Sequence, residues 1–491
     1  MTTISIQPEL CRPLSNFRLP KAVLEQEQKL RELDELIKKN RLDLEFLNLC
    51  QSEPSLQCHR PQTMLLHFKL VLLQRFYPHS VRGMELLVSR NEAMHQFLGI
   101  SRLDDSSVRP PSKTKINNSV NMFPAELIES FNQRITELAL ECQLADVSVC
   151  EQEAPFIEVW TDTTAIEPHA HYPVDWILLA DAVRSFARKI RTIRKSGLAY
   201  LRIMSAAKKW QSRMNHLSIA FHSIRRKKAS EQKEKEVKNC FRQILNLARL
   251  AKQGMLKVRD HLDEHRATTR WSEGRIQRVL GDVDKLLSNL QNADEQAVGR
   301  ILKGEQMPSD EKLLSLYEED MQVISRAKSG KSIEYGNTLR VSENQDGLIV
   351  DWHYYQEKAP NDSKQLPEVL ESVTRNYGPV AAICADRQFD SPENRAMLAE
   401  RNIINAVCPR SVPAMKEALK DKDIRSRLKR RASTEALIAT IKNVYLKGKI
   451  RAKGYTSQLR LIGQAIMAHN LKKLLSFTLS KRSQIPIPQV A

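Results

Sequence analysis

The chain has 491 residues, too many for one ordinary domain, so two to four are expected. It is 41% hydrophobic and 27% charged, enough apolar matter for real cores, and its formal net charge of +19 favours a polyanionic partner, nucleic acid before a membrane surface. Eight scattered cysteines without a CxxC pair argue against a zinc ribbon, the longest apolar run (Met64 to Leu73) is too short to span a bilayer, and Walker-type and GxGxxG loops are absent. With no signal peptide at Met1 to Leu10, the expectation is a soluble cytoplasmic protein with reduced thiols, no membrane contact and no nucleotide cofactor.

Taken in order, Lys21 to Cys50 is a strongly charged helical stretch with Leu24, Leu30, Leu33 and Ile37 at helical spacing, either a coiled coil or one packed amphipathic helix. Pro61 to Gly99 predicts two or three short helices, with Leu65, Phe68, Leu72 and Phe76 on one face. The basic, proline-containing loop at 101–115 comes next. This combination fits a small DNA-binding module; the plainer reading is a helical packing domain. A helix over Pro124 to Cys142 leads onward.

Phe156 to Asp162 (FIEVWTD) has β-branched and aromatic character and predicts a strand with Asp162 at its carboxyl end, where open α/β sheets gather functional side chains. His169, His171 and Asp175 are close by; the two histidines are expected beside the site more than as ligands. From 183 to 330 helical periodicity dominates. Arg184 to Lys228 carries fourteen Lys or Arg and no acid, ending in Arg225, Arg226, Lys227 and Lys228, a footprint for phosphates. Trp210 and Trp271 are available to stack on a base but are expected in the core.

Tyr335 to Tyr355 predicts a hairpin turning at Glu343 to Gly347, with Asp346-Gly347 as the turn signal. A helix around Leu366 to Asn376 follows, and then the buried strand Pro379 to Ala385, which delivers Asp386 at its end. Ser391-Pro392-Glu393 starts a helix, and Ile403 to Val407 is the last strand. From Ile424 onward there are fifteen Lys or Arg and a single acid, Glu435. It sits in the helical stretch RASTEALIATIK (431–442), where Arg431, Glu435 and Lys442 project from one face. The plainer reading is an exposed face with one i,i+4 ion pair. The tail from 477 is expected to be disordered.

The chain thus predicts an α/β unit, with a long helical block inserted between Asp162 and the hairpin. Asp162, Asp386 and Glu435 are the hard-oxygen set that Mg²⁺ or Mn²⁺ prefers. Two such ions can activate an attacking oxygen and stabilise a leaving one in phosphodiester chemistry.

These residues are similar to those of a known family. HQFLGI with DDSSV (95–108), DTTAIEPHAHYPVDWILLAD (162–181), LLSLYEEDMQVISRAKSGKSIEYGNTL (313–339), ADRQFDSPENRAMLAERNI (385–403) and RRASTEALIATIKNVYL with AIMAHNL resemble, in order and spacing, the blocks of a DDE transposase of a bacterial insertion sequence, the group filed as "not classified yet". The resemblance spans nearly the whole chain. It implies a ribonuclease-H-like mixed-sheet core with an all-α N-terminal domain, and metal-dependent DNA cleavage and strand transfer with two Mg²⁺ or Mn²⁺ ions. It implies Asp162, Asp386 and Glu435 as catalytic metal ligands. Arg431 and Lys442 would be contacts to the transposon end. Its partners would be double-stranded DNA, both terminal inverted repeats and target, in a dimer or higher assembly. The expected organisation is a DNA-binding domain over 1–150, the core over 151–182 and 331–476, the basic insertion over 183–330 and the tail over 477–491. The chain departs from the family pattern at Leu428, where the wider Arg-Glu-Lys signature has Tyr, at Arg387-Gln388, where a glycine turn is usual, and at Pro168-His169-Ala170-His171. The rival expectation is a catalytically inactive, transposase-derived DNA-binding protein.

Overall fold

The computed structural model describes residues 21–77, 79–100, 110–144, 157–169, 174–199, 201–308, 311–328 and 331–484. Seven helices come first: α1 (Lys21–Lys39), α2 (Leu42–Ser52), α3 (Pro61–Phe76), α4 (Val81–Arg90), α5 (Glu92–Leu98), α6 (Lys113–Met122) and α7 (Ala125–Leu144). The expected single helix over 21–50 is broken. Arg41 takes the left-handed conformation (φ 54°), and the Asn40 side chain turns back onto the Leu36 carbonyl at 2.9 Å. Leu30, Leu33 and Ile37 are buried and α1 packs on α2 and α5, so it is a packed amphipathic helix. Most of the basic loop after α5 lies outside the described residues.

Strand β1 (Ile157–Ile166) is followed by the helices α8 (Asp175–Arg194), α9 (Ile203–Arg226), α10 (Glu231–Glu264) and α11 (Glu273–Ala297). These four share a core of their own, with Trp210 inside it at 6% exposure and Trp271 packed at its margin, as expected. Gly254 is what admits Trp210: a Cβ there would lie 2.2 Å from the indole ring. The inserted block starts earlier than position 183, at Asp175, whose carboxylate is buried against Arg300 at 2.9 Å and Gln296 at 2.7 Å. That arrangement is structural, anchoring the first turn of α8 to the far end of the block.

The remainder comprises β2 (Gln322–Lys328), β3 (Lys331–Asn344), β4 (Ile349–Tyr354), α12 (Asp362–Tyr377), β5 (Val380–Ala385), α13 (Pro392–Glu400), β6 (Ile404–Val407), α14 (Val412–Ala418), α15 (Lys422–Thr440) and α16 (Tyr455–Gln484). β2 was not expected; its QVISRAK sequence adds a strand beside the first half of β3, within a stretch read as mostly helical. The hairpin is as expected: the Asn344 side chain accepts from the Asp346 and Leu348 amides, and Gly347 supplies φ 79°. The tail is helical through Gln484, which corrects the first part of the expected disorder; 485–491 lie outside the described residues.

The result is an α/β fold built on a six-stranded mixed sheet. β3 is antiparallel to its neighbours β4 and β1; β1, β5 and β6 run parallel. One face is covered by α12 and by the N-terminal helices, which share a single apolar core with Ile157, Val159, Leu348, Val350 and Ile383. The other is covered by α15 and α16, packed on Ile166, Leu339, Val341 and Ile349. Helix α16 joins the two layers, lying against both α7 and β4. The helices before β1 therefore complete the sheet's core instead of enclosing a separate one.

Candidate active site

Asp162 and Asp386 meet through sheet register. β1 and β5 pair in parallel, with Trp160 opposite Cys384 and Thr161 opposite Ala385, so the next positions are Asp162 and Asp386. Side chains alternate along a strand, which places the Asp162 carboxylate on the face that carries Trp160 and Cys384, the α15 side, while Asp386 follows directly on the end of β5. Asp162 is not at the end of its strand, as the sequence suggested. β1 runs four residues further because β3 keeps pairing with it, Asp162 to Val341 through Ile166 to Asn337. The strand that ends here is β5, which opens a crevice along the continuing edge of β1. Asp386 begins the turn out of β5, and its carboxylate accepts from the Gln388 amide at 2.6 Å; that of Asp162 accepts from the Thr163 amide at 2.7 Å. Both side chains are half-buried.

The third acid is brought by α15, which begins nine residues before Arg431 with Asp421 capping the amides of Asp423 and Ile424. Its docking uses residues that composition alone assigns to the polyanion field. Arg427 pairs with Glu158 and takes the Trp160 indole N–H on its carbonyl at 3.0 Å. Arg430 stacks over the Trp160 ring at 3.9 Å and donates to the Asn344 carbonyl at 2.8 Å. Ser433 and Thr434 donate to Glu343, a 2% exposed carboxylate of β3, at 3.1 and 2.7 Å. Further along, in the wider turn that continues the helix over Ile441–Tyr445, the Lys442 ammonium donates to the Ala165 carbonyl at 2.8 Å and reaches the Thr164 hydroxyl at 3.3 Å. Arg427 is therefore level with Trp160 and Lys442 with Ala165. Glu435 lies on the helix between these anchors, one residue beyond the Thr434 contact to Glu343.

Glu435 is 61% exposed and ion-paired with Arg431 at 3.3 Å, the i,i+4 pair of the plainer reading. The ligand atoms of Asp162, Asp386 and Glu435 are not all within 4.8 Å of one another. The exposed Glu435 side chain is the one with room to swing. The donor set, carboxylate oxygens from two adjacent strands and a facing helix, fits a hard divalent cation and offers nothing to a soft one.

Leu428 packs against Trp160, Cys384 and Ala406 as part of the helix's seat, which gives it an apolar role. His169 is exposed and paired through its backbone to Ile450; His171 lies outside the described residues. Arg225, Arg226, Lys227 and Lys228 are exposed at the C-terminal end of α9, where Lys227 pairs with Glu236 at 2.6 Å. α9 packs on α8 and α10, within the inserted block.

Sequence reading missed a polar cleft of about 530 Å³ on the opposite side of β1, lined by Thr163, Thr338, Lys358, Asp362, Gln388 and Arg410 among others. Arg410 donates to the Arg387 and Gln388 carbonyls at 3.2 and 3.3 Å, bracing the turn that carries Asp386. No local motif marks these residues, which the fold collects from five separate segments.

Residues 320–471 match the family model described as "Transposase DDE domain". This part of the chain is similar to transposase DDE domains. The match includes Asp386 and Glu435; β1, with Asp162, precedes it. The match supports transposase function in general for the chain. No curated protein matches the chain. No helix among the described residues is long and apolar enough to cross a membrane.

Proposed function

We propose that the protein is a transposase that cleaves DNA at insertion-sequence ends and joins them to target DNA, with Asp162, Asp386 and Glu435 as its catalytic carboxylates. The observation that carries this reading is the register of β1 and β5, which sets the two aspartates side by side beneath the helix bearing Glu435. The strand order β4-β3-β1-β5-β6, three antiparallel then two parallel, supports a ribonuclease-H-like core. The subgroup filed as "not classified yet" belongs to the same proposal.

Bound Mg²⁺ or Mn²⁺ would activate the attacking oxygen and stabilise the leaving one. The three carboxylates would hold the ions, Asp162 and Asp386 from the rigid sheet and Glu435 by turning from Arg431. Arg431, released by that turn, would meet the negative charge of the scissile phosphate. Lys442 keeps the far end of α15 registered on β1 beside the phosphate path. The nucleophile is water in the first step, displacing a 3′-hydroxyl; that hydroxyl then attacks a target phosphodiester, displacing another 3′-oxygen. The exposed cations at the end of α9 would hold DNA backbone outside the site, without sequence choice. Two ends must be handled together, so the working form is a dimer or higher assembly.

The test is incubation of the protein with a labelled duplex carrying the element's own end and a supercoiled target. Nicking and end joining in Mg²⁺ or Mn²⁺, abolished by chelator, are expected. Stable end binding with neither product would favour the inactive DNA-binding alternative.

A further inference from the structure

A second cluster of ligand chemistry lies in the inserted helices and plays no part in the DDE site. His261, Glu264 and His265 each offer a ligand atom, and among the described residues these atoms form the group that lies within 4.8 Å of one another. The three occupy the last turn of α10 and the residue after it, in the order His-Leu-Asp-Glu-His. Two histidines four apart share a helix face, and their rings are 4.3 Å apart between centroids.

The hydrogen bonds of the rings set which nitrogens are available. His261 Nε2 lies 3.2 Å from the Ala199 carbonyl oxygen, and His265 Nδ1 lies 3.1 Å from that of His261. A carbonyl oxygen accepts and never donates, so these nitrogens carry the protons. In the neutral tautomers these bonds select, His261 Nδ1 and His265 Nε2 hold the lone pairs. An imidazole oriented by donating its other N–H to a carbonyl is the arrangement that supports metal ligation. The neighbouring Asp263 is occupied by Arg266 and Arg259, whereas Glu264 has no ion-pair partner among the described residues.

We propose that His261, Glu264 and His265 bind one zinc-class divalent ion, with water as fourth ligand, and that the ion staples the end of α10 to the chain between α8 and α9. Two imidazoles and one carboxylate suit Zn²⁺, where Mg²⁺ prefers oxygen alone, so the site does not compete with the catalytic carboxylates for the same ion. Tetrahedral ligands about 2.1 Å from zinc are roughly 3.4 Å from one another. Rotation of the exposed Glu264 and His265 side chains supplies the small closure required. The staple would act through His261, whose ring bonds Ala199; the same segment is tied to the start of α11's approach by the Arg270 amide on the Ser196 carbonyl at 2.7 Å. Zinc would thus fix the tip from which α9 and its basic residues project. This proposal is independent of the catalytic reading.

The test uses the full chain without a histidine tag, stripped by chelator and titrated with Zn²⁺ against a chromophoric chelator in millimolar Mg²⁺. One Zn²⁺ per chain is expected, with affinity at least tenfold weaker in Glu264→Gln and in His265→Ala. Zn²⁺ should also raise the melting temperature of the wild type and leave that of the Glu264→Gln/His265→Ala double variant unchanged. Glu264→Gln removes no hydrogen bond among the described residues, so it keeps the test valid if His265→Ala misfolds. Absence of a saturable zinc site in the wild type, or equal affinity and stoichiometry in the double variant, overturns the proposal.

Discussion

Gly336 shows how one residue fixes the neighbourhood of the site. Its φ is +143°, and a Cβ there would lie 2.1 Å from the Ile166 carbonyl oxygen at the end of β1. Both partners are strand backbone, so neither yields easily. Gly336→Ala should lower stability by roughly 2–4 kcal/mol, read from the urea midpoint. His469 gives a pH signature. Burial holds its imidazole down to about 4, neutral, beside the Gly347 carbonyl at 2.8 Å. The unfolded chain takes up that proton near pH 6.5 and the folded chain does not until about pH 4. Stability from this group is therefore complete above pH 6.5 and declines as pH falls through that window, by roughly 3 kcal/mol in all. His469→Gln should flatten the fall in urea midpoint between pH 7 and pH 5. The places of Asp386, directly after β5, and of Glu435, on a late helix, were legible in the sequence, one because a short apolar strand ends at it, the other because it stands in a helix-forming run without Pro or Gly. Glu343 was not, since nothing local distinguishes a buried carboxylate that receives α15 from an exposed one. Nor was the His261 cluster, whose meaning depends on where Ala199 lies.

Helix α15 is the element on which the site's geometry turns. It is seated by Trp160, which receives Arg430 on its ring and donates to the Arg427 carbonyl. Trp160→Phe keeps an aromatic ring and removes the donor. It should cost about 1 kcal/mol of stability and, by loosening the seat of the helix that bears Glu435, raise the Mn²⁺ concentration needed for half-maximal cleavage. A changed stability with unchanged metal dependence would separate seating from catalysis. Among elements, the hairpin, β5, β6 and α13 were readable because turn residues and caps are local signals. The break at Arg41, the strand β2 and the length of β1 were not. Each is decided by a partner: the rest of the N-terminal core, the first half of β3, and the second half of β3.

At the scale of the whole molecule, positive charge divides into two kinds. Some cations, such as Arg427 and Arg430, dock elements together; others, at the end of α9, face solvent. Composition reports only their sum. Replacing Arg225, Arg226, Lys227 and Lys228 by Gln should weaken duplex binding uniformly across sequences. It should also reduce the slope of log K against log salt by about 0.9 for each phosphate that is no longer neutralised. Since Lys227 is already paired with Glu236, the change should reflect the other three. The fold class was legible as alternating strand and helix signals around an insertion. That the N-terminal helices complete the sheet's core was not, because their apolar faces say that they pack and not on what.

The most direct measurement is cleavage of a labelled duplex bearing the element's own end by wild type and by Asp386→Asn, with Mg²⁺ and with Mn²⁺, alongside binding of the same duplex. Three carboxylates acting together predict cutting by the wild type and a loss of at least about a thousandfold in Asp386→Asn with binding retained. Equal cutting by both proteins, or none by the wild type while it binds the end, would contradict the assignment of Asp162, Asp386 and Glu435 as a working catalytic site.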